Sequence, residues 1–328
     1  MLSKVIIKHI EPYFPSQILT SAEAAASTGL SEDLRKNKLG INSVHIAQKD
    51  EHVSDMATSA IKNLLNKHKI QKETIDLLIV VTQNPDYRLP TTACLVQNKV
   101  GLSKNLLAYD VNQGCSGFIV GLAQSVALIK SGFCKCAILV TVEAYNKIIS
   151  NKDKDTYGLF GDAACATLLV PSFNHDEQGF SNFFFGTDGS GAQDLIHECG
   201  GTISQTLQNP RPYLYMNGRS IFEFVSQTIS SDIKNFLLNK NINLDQIDHW
   251  IFHQANKFMN SRLISSLNIP TEKAFFDIHD IGNTVSSSIP IAIHRFVNTH
   301  GPQSGNWFFS GFGVGLSWGG CIYKGIIK

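Results

Sequence analysis

Residues 61–84 align with residues 233–256 at a constant offset of 172, without a gap. Ile61, Lys62, Asn63, Leu65, Ile70, Ile75, Asp76, Ile79 and Asn84 recur as Ile233, Lys234, Asn235, Leu237, Ile242, Ile247, Asp248, Ile251 and Asn256. Each copy reads as an amphipathic helix, a short polar turn and then an apolar run, "IDLLIVVTQN" or "IDHWIFHQAN", suited to a buried strand. The pairing continues downstream. "AYDVNQGCSGF" and "FFDIHDIGNTVSSSIPIAIHRF" each read as strand, glycine turn and helix, and "CAILVTVEA" pairs with "NWFFSGFGVGLSWG" as later strands. So long a period predicts a duplicated α/β domain rather than a solenoid. Two similar halves, 1–171 and 172–328, are expected to pack as layers of helices and sheets. Loops from both would meet where the copies adjoin, a common place for an active site.

The 328 residues are 43% hydrophobic and 17% charged, enough for one large core or two medium ones. A net charge of +1 leaves no basic excess for a phosphate backbone, so no nucleic-acid partner is expected. No apolar run reaches the ~18 residues of a membrane span, and "MLSKVIIKHIEPYFP" has too short an apolar run for a signal peptide. The expectation is a cytoplasmic protein with no membrane association. Its seven cysteines, an odd number set mostly in apolar segments, fit reduced thiols. Cys134 and Cys136 have no His or Cys at ligand spacing, and no metal is expected.

Cys115 stands apart from the other six. Ala108, Tyr109 and Val111 suggest the end of a strand, and Phe118, Leu122, Val126 and Ile129 recur at helical spacing. Cys115 therefore falls at a helix N-terminus, where unpaired N–H groups and the positive dipole end favour thiolate. Small neighbours leave room for a substrate carbonyl. Cys94 and Cys165, within apolar segments, are expected in the core. The repeat puts His253 at the end of the second-copy strand, where the first copy has Val81. Asn283 follows a glycine in the loop that corresponds to the cysteine elbow. Alone, the histidine reads as a core residue and the asparagine as a turn former. Together with Cys115, at related positions of two repeats, they form a constellation for nucleophilic thiol catalysis. Glycines 311, 313 and 315 in "SGFGVGLSWGG" let the backbone turn an N–H toward a substrate oxyanion. That stretch lacks the strand-then-helix context of a dinucleotide site.

These residues, with "PDYRLPTTACLVQ", "LFGDAACATLL", "GTDGSGA", "YLYMNGRSIFEF", "HQAN" and "GNTVSSSIP", resemble the β-ketoacyl-acyl carrier protein synthase III group of condensing enzymes along nearly the whole chain. The resemblance implies a thiolase fold with five layers, αβαβα, a homodimer, and two chemical stages. An acyl group passes from a thioester to Cys115, with the N–H groups of Cys115 and Val314 as oxyanion hole. His253 and Asn283 then hydrogen-bond the carbonyl of a malonyl thioester while carbon dioxide leaves. The carbanion attacks the acyl-cysteine. No permanently bound cofactor is implied; the substrates are thioesters of acyl-carrier-protein phosphopantetheine or of coenzyme A. A second reading keeps the acyl-cysteine but passes the acyl group to an amine or hydroxyl acceptor.

By the same resemblance Lys38, Lys154, Asn217, Gly218 and Lys257 would meet the pantetheine or its carrier, and Leu89 would cross the dimer interface into the partner's acyl pocket. Family members often have Phe where Leu89 stands, so a longer or wider pocket is expected. The chain also departs from the family at its cofactor-binding end. Leu34 stands where a tryptophan stacks the coenzyme A adenine, Asn42 replaces an arginine, and Phe258 replaces an arginine thought to meet the carrier protein.

Overall fold

The computed structural model describes residues 4–172 and 178–328. The first part contains β1 (Lys4–Tyr13), β2 (Gln17–Thr20), α1 (Ser21–Thr28), β3 (Ser43–Ile46), α2 (Val53–Lys67) and β4 (Leu77–Val81). It continues with α3 (Thr92–Val100), β5 (Leu107–Val111), α4 (Gly117–Lys130), β6 (Ala137–Glu143) and β7 (Ala163–Ser172). The second contains β8 (Gly179–Thr187), β9 (Leu195–Ile196), β10 (Tyr215–Met216), α5 (Gly218–Phe224) and α6 (Ser230–Asn239). After these come β11 (His249–Phe252), α7 (Lys257–Ser266), α8 (Ser288–His300), β12 (Gln303–Gly313) and β13 (Ser317–Ile327).

Two sheets carry the fold, ordered β1-β7-β6-β4-β5 and β8-β13-β12-β11. Their pairings match step for step: two antiparallel ladders and then parallel ones. Every residue of β4 and β6 is buried, which is why their sequences run apolar without alternation: helices cover both faces. α2 and α3 pack outside the first sheet, α4 and α8 touch both sheets from between them, and α6 covers the far face of the second through Phe236 against Phe184 and Phe308. The order is helix, sheet, helix, sheet, helix.

The copies differ in two places. The strand expected from "FFDIH" is a single bridge, Ala274 beside Trp250. The buried Gln254 side chain takes over the pairing, donating to the Phe275 carbonyl at 3.3 Å and accepting from the Asp277 N–H at 3.1 Å. The helix matching α2 is interrupted by a widened turn at Val225–Ile229, between α5 and α6. Among the cysteines, Cys165 is in the core as expected, but Cys94 is exposed. α3 buries Ala93, Val96 and Val100, and that spacing turns Cys94 outward.

Candidate active site

Cys115 lies between the end of β5 and the start of α4, 5% exposed. Its sulfur is hydrogen-bonded by its own N–H and by that of Val314, in the turn between β12 and β13. Three side chains tie that turn to the elbow. Ser317 Oγ lies 2.7 Å from Ser116 Oγ, donates to Gln113 Oε1 at 3.1 Å, and also reaches the Val314 carbonyl at 3.0 Å. Gly313 passes so close that a Cβ there would sit 2.8 Å from Sγ. The sequence-based expectation of a favoured thiolate is overturned. Burial pushes the thiol up to about 12, and the two amides only partly oppose it. The charge of nearby Glu143 acts in the same direction, but burial also holds that carboxyl well above the usual carboxylate range, so desolvation of the sulfur dominates.

His253 follows β11 and is 1% exposed. Its backbone is pinned by an N–H donated to the Ser310 carbonyl at 2.8 Å and a carbonyl that accepts from Asn260 at 2.9 Å. The ring meets Phe312 edge-on, and Nδ1 lies 2.7 Å from Ser288 Oγ, at the start of α8. Burial lowers its pKa to about 3, against a hydrogen bond to the Val285 carbonyl, so the imidazole is neutral at physiological pH. The Ser288 hydroxyl has two acceptors in reach, Nδ1 and the Val285 carbonyl at 2.9 Å. When it donates to Nδ1, the ring proton sits on Nε2.

Asn283 is held by its backbone against the 159–161 segment: its N–H reaches the Leu159 carbonyl at 2.9 Å and its carbonyl accepts from Gly161 at 3.0 Å. The turn needs Gly282, at φ +64° with a Cβ position filled by Val44 and the Leu159 carbonyl. Asn283 Oδ1 accepts from the Val285 N–H at 2.9 Å, which leaves its NH2 as the open donor. Val285 pays for this with φ 53°, a strained conformation for a buried β-branched residue.

The three side chains line one cavity of about 340 Å³. Its wall is mostly apolar, and Leu34, Lys38, Lys154, Gly218 and Phe258 also line it. Lys38 Nζ sits 5.0 Å from the centre of the Phe258 ring, which stacks on Phe222 at 5.2 Å. Lys257 begins α7, exposed, with its stem over Gly40. Asn217 is engaged as the cap of α5, accepting from the Ser220 N–H and donating to Asp194. Leu89 is 83% exposed and lines neither this cavity nor a second, polar one of about 490 Å³ that Val314 borders. Tyr145 and Leu195 border both. Sequence reasoning missed Tyr145, Gln83 and Ser288. A glutamate ending the apolar run of β6 was the available signal for the first two, since Glu143 accepts from the Gln83 N–H at 2.9 Å. Among the described residues no cluster of three or more His, Cys, Asp or Glu could hold a metal ion.

The chain is similar to known proteins along nearly its whole length. Residues 109–189 match the family model for 3-oxoacyl-[acyl-carrier-protein] synthase III, and residues 237–324 match the model of its C-terminal part. A β-ketoacyl-[acyl-carrier-protein] synthase III of Clostridium perfringens is 34% identical over 317 residues, 95% of this chain and 96% of that protein. The crystal structure of the Thermus thermophilus synthase III superposes with a TM-score of 0.89 at 31% identity, covering 97% of this chain and 98% of that one. The priming β-ketosynthase of the R1128 polyketide pathway gives a TM-score of 0.89 at 25% identity, over 98% of this chain and 96% of that one.

Proposed function

The chain belongs to the 3-oxoacyl-[acyl-carrier-protein] synthase III family, and from that premise we propose that it loads an acyl group onto Cys115 and condenses it with a malonyl thioester. The convergence of Cys115, His253 and Asn283 on one cavity, with the Cys115 and Val314 amides on the sulfur, carries this reading. In the first stage the sulfur attacks the thioester carbonyl, the oxyanion is held by the two amides, and the carrier thiol departs with the proton the cysteine loses. Because burial raises the thiol's pKa, its proton must be lost in this step.

In the second stage the malonyl thioester carbonyl meets the Asn283 NH2 and His253 Nε2–H. The C–C bond to the carboxylate breaks, its electron pair forms the enolate, and two neutral donors stabilise the oxygen. The enolate carbon then attacks the acyl carbonyl and the Cys115 sulfur leaves. A carboxylate at position 283 would repel the developing charge. No observation favours transfer to an amine or hydroxyl acceptor.

We assign the acyl and malonyl groups to a carrier protein's phosphopantetheine, with Lys38, Lys154 and Lys257 facing an acidic carrier and Gly218 beside the arm. Asn217 supports that wall through its cap rather than by contact. The working molecule is a cytoplasmic homodimer of two-half chains divided near residue 172, where the first sheet ends. Among the described residues β5 ends that sheet without a further strand, with Leu107 on it exposed, and a second copy would cover this edge. Light scattering should give twice the chain mass of 36.1 kDa. Intact-protein mass after incubation with acyl thioesters tests the chemistry. The acyl increment should appear on the native protein and vanish in Cys115→Ala, and carbon dioxide should be released with malonyl thioester. An increment surviving in Cys115→Ala overturns the assignment.

A further inference from the structure

We propose that the acyl group this enzyme takes bears a neutral hydrogen-bonding substituent, such as a hydroxyl on its β-carbon, received by the second cavity. This rests on the reading of Cys115 as the acyl carrier. The cavity begins beside the nucleophile: Val314, whose N–H reaches the sulfur, borders it, and the Gln83 carboxamide and Val314 side chain both press on Gly114. An acyl carbonyl held by the Cys115 and Val314 amides would thus send its chain toward Gln83.

What waits there is polar. The Tyr145 hydroxyl, on a 3% exposed residue, donates to Gln83 Oε1 at 2.9 Å. That bond holds the Gln83 carboxamide by its oxygen, and among the described residues no protein acceptor pairs with its NH2; the Gln83 backbone N–H donates separately to Glu143 at 2.9 Å. The Tyr145 oxygen retains lone pairs. One NH2 donor and one phenolic acceptor therefore face the same space, the pair a hydroxyl satisfies. Beyond them Asp86 and Arg88 also line the cavity, Asp86 accepting from Ser54 and Arg88 donating to the Gly201 carbonyl. An alkyl chain would strip water from the Gln83 amide and return nothing, and sites built to hydrogen-bond a substrate group reject analogues that lack it.

The test compares S-acetyl, S-butyryl and both enantiomers of S-3-hydroxybutyryl pantetheine, reading the rate of acyl-Cys115 formation by intact mass. One hydroxybutyryl enantiomer should load at least ~10-fold faster than butyryl. Gln83→Met and, independently, Tyr145→Phe should each shrink that ratio toward unity. Butyryl loading as fast as hydroxybutyryl, acetyl loading with neither four-carbon group, or a ratio unmoved by both variants overturns the inference while leaving the condensing reading intact. Failure of every thioester, acetyl included, to label Cys115 overturns that reading itself.

Discussion

At Cys115, burial and hydrogen bonding pull in opposite directions, and the balance can be measured. With the thiol held near 12, the thiolate fraction is minute at neutral pH and grows tenfold per pH unit. Alkylation of Cys115 by iodoacetamide should therefore accelerate about tenfold per unit from pH 7 to 9 with no plateau, followed by mass; a plateau below pH 8 would show an activated thiolate at rest. In the proposed function the other two side chains have a different task. His253→Ala and Asn283→Ala should each slow malonyl decarboxylation by ~10²–10³ while the acyl-enzyme still forms, because each removes one donor from a developing oxyanion. Carbon dioxide release and acyl-enzyme formation, measured separately, decide it, and equal loss of both would contradict the division of labour. Ser288 acts through the ring. In the arrangement where the Ser288 hydroxyl donates to Nδ1 it supports the Nε2–H tautomer, so Ser288→Ala should slow decarboxylation in the same direction as His253→Ala, by less.

Among the elements, the elbow before α4 and the turn between β12 and β13 are separate pieces of chain that must hold two amides in register, and Ser317 is their joint. Ser317→Ala should cost about 1 kcal/mol of stability through lost hydrogen bonds. It should also slow acylation about tenfold by misplacing one oxyanion donor, where removing a donor outright costs ~10²–10³; thermal melts and loading rates check both, and unchanged loading would show that the turn holds itself. The elements were largely readable before the structure because the gapless repeat ties α2–β4 to α6–β11 through hydrophobic spacing alone. Cys115, His253 and Asn283 were legible for the same reason: each interrupts the pattern at a corresponding strand end or turn. What escaped were features that spacing does not encode. Gln254 replaces a strand's pairing by a side chain, and nothing in "FFDIH" announces it. Tyr145 and Gln83 are distant in sequence and meet only once β4 and β6 lie side by side. The raised pKa of Cys115 is also a tertiary effect, since the helix N-terminus is local while the desolvation comes from the surrounding core.

At the scale of the molecule the question is which carrier delivers the acyl group. Leu34 lines the cavity where the resemblance leads one to expect a tryptophan, and base stacking on an aromatic side chain is worth ~1–3 kcal/mol per base in nucleic-acid sites. Phe258, an aromatic that lines the same cavity, is already engaged: Phe222 stacks against it, and the Lys38 ammonium lies over its ring. An adenine would have to displace one of them. Coenzyme A should therefore bind one to two powers of ten more weakly than stacking would allow, by ~1.4 kcal/mol per tenfold. A carrier protein presents no adenine and is spared that loss. On the proposed reading it would gain instead from Lys38, Lys154 and Lys257, whose attraction to an acidic surface acts at long range and is screened by salt. With one acyl chain on both carriers, kcat/KM should be at least ~10-fold higher for the carrier-protein thioester, and that advantage should narrow as salt rises from 0.05 to 0.5 M. Phe258→Ala frees Lys38 from the ring without restoring a stacking surface, so it should leave the coenzyme A ester poor. Equal kcat/KM for the two carriers, or a preference for the coenzyme A ester, would place adenine recognition elsewhere on the molecule.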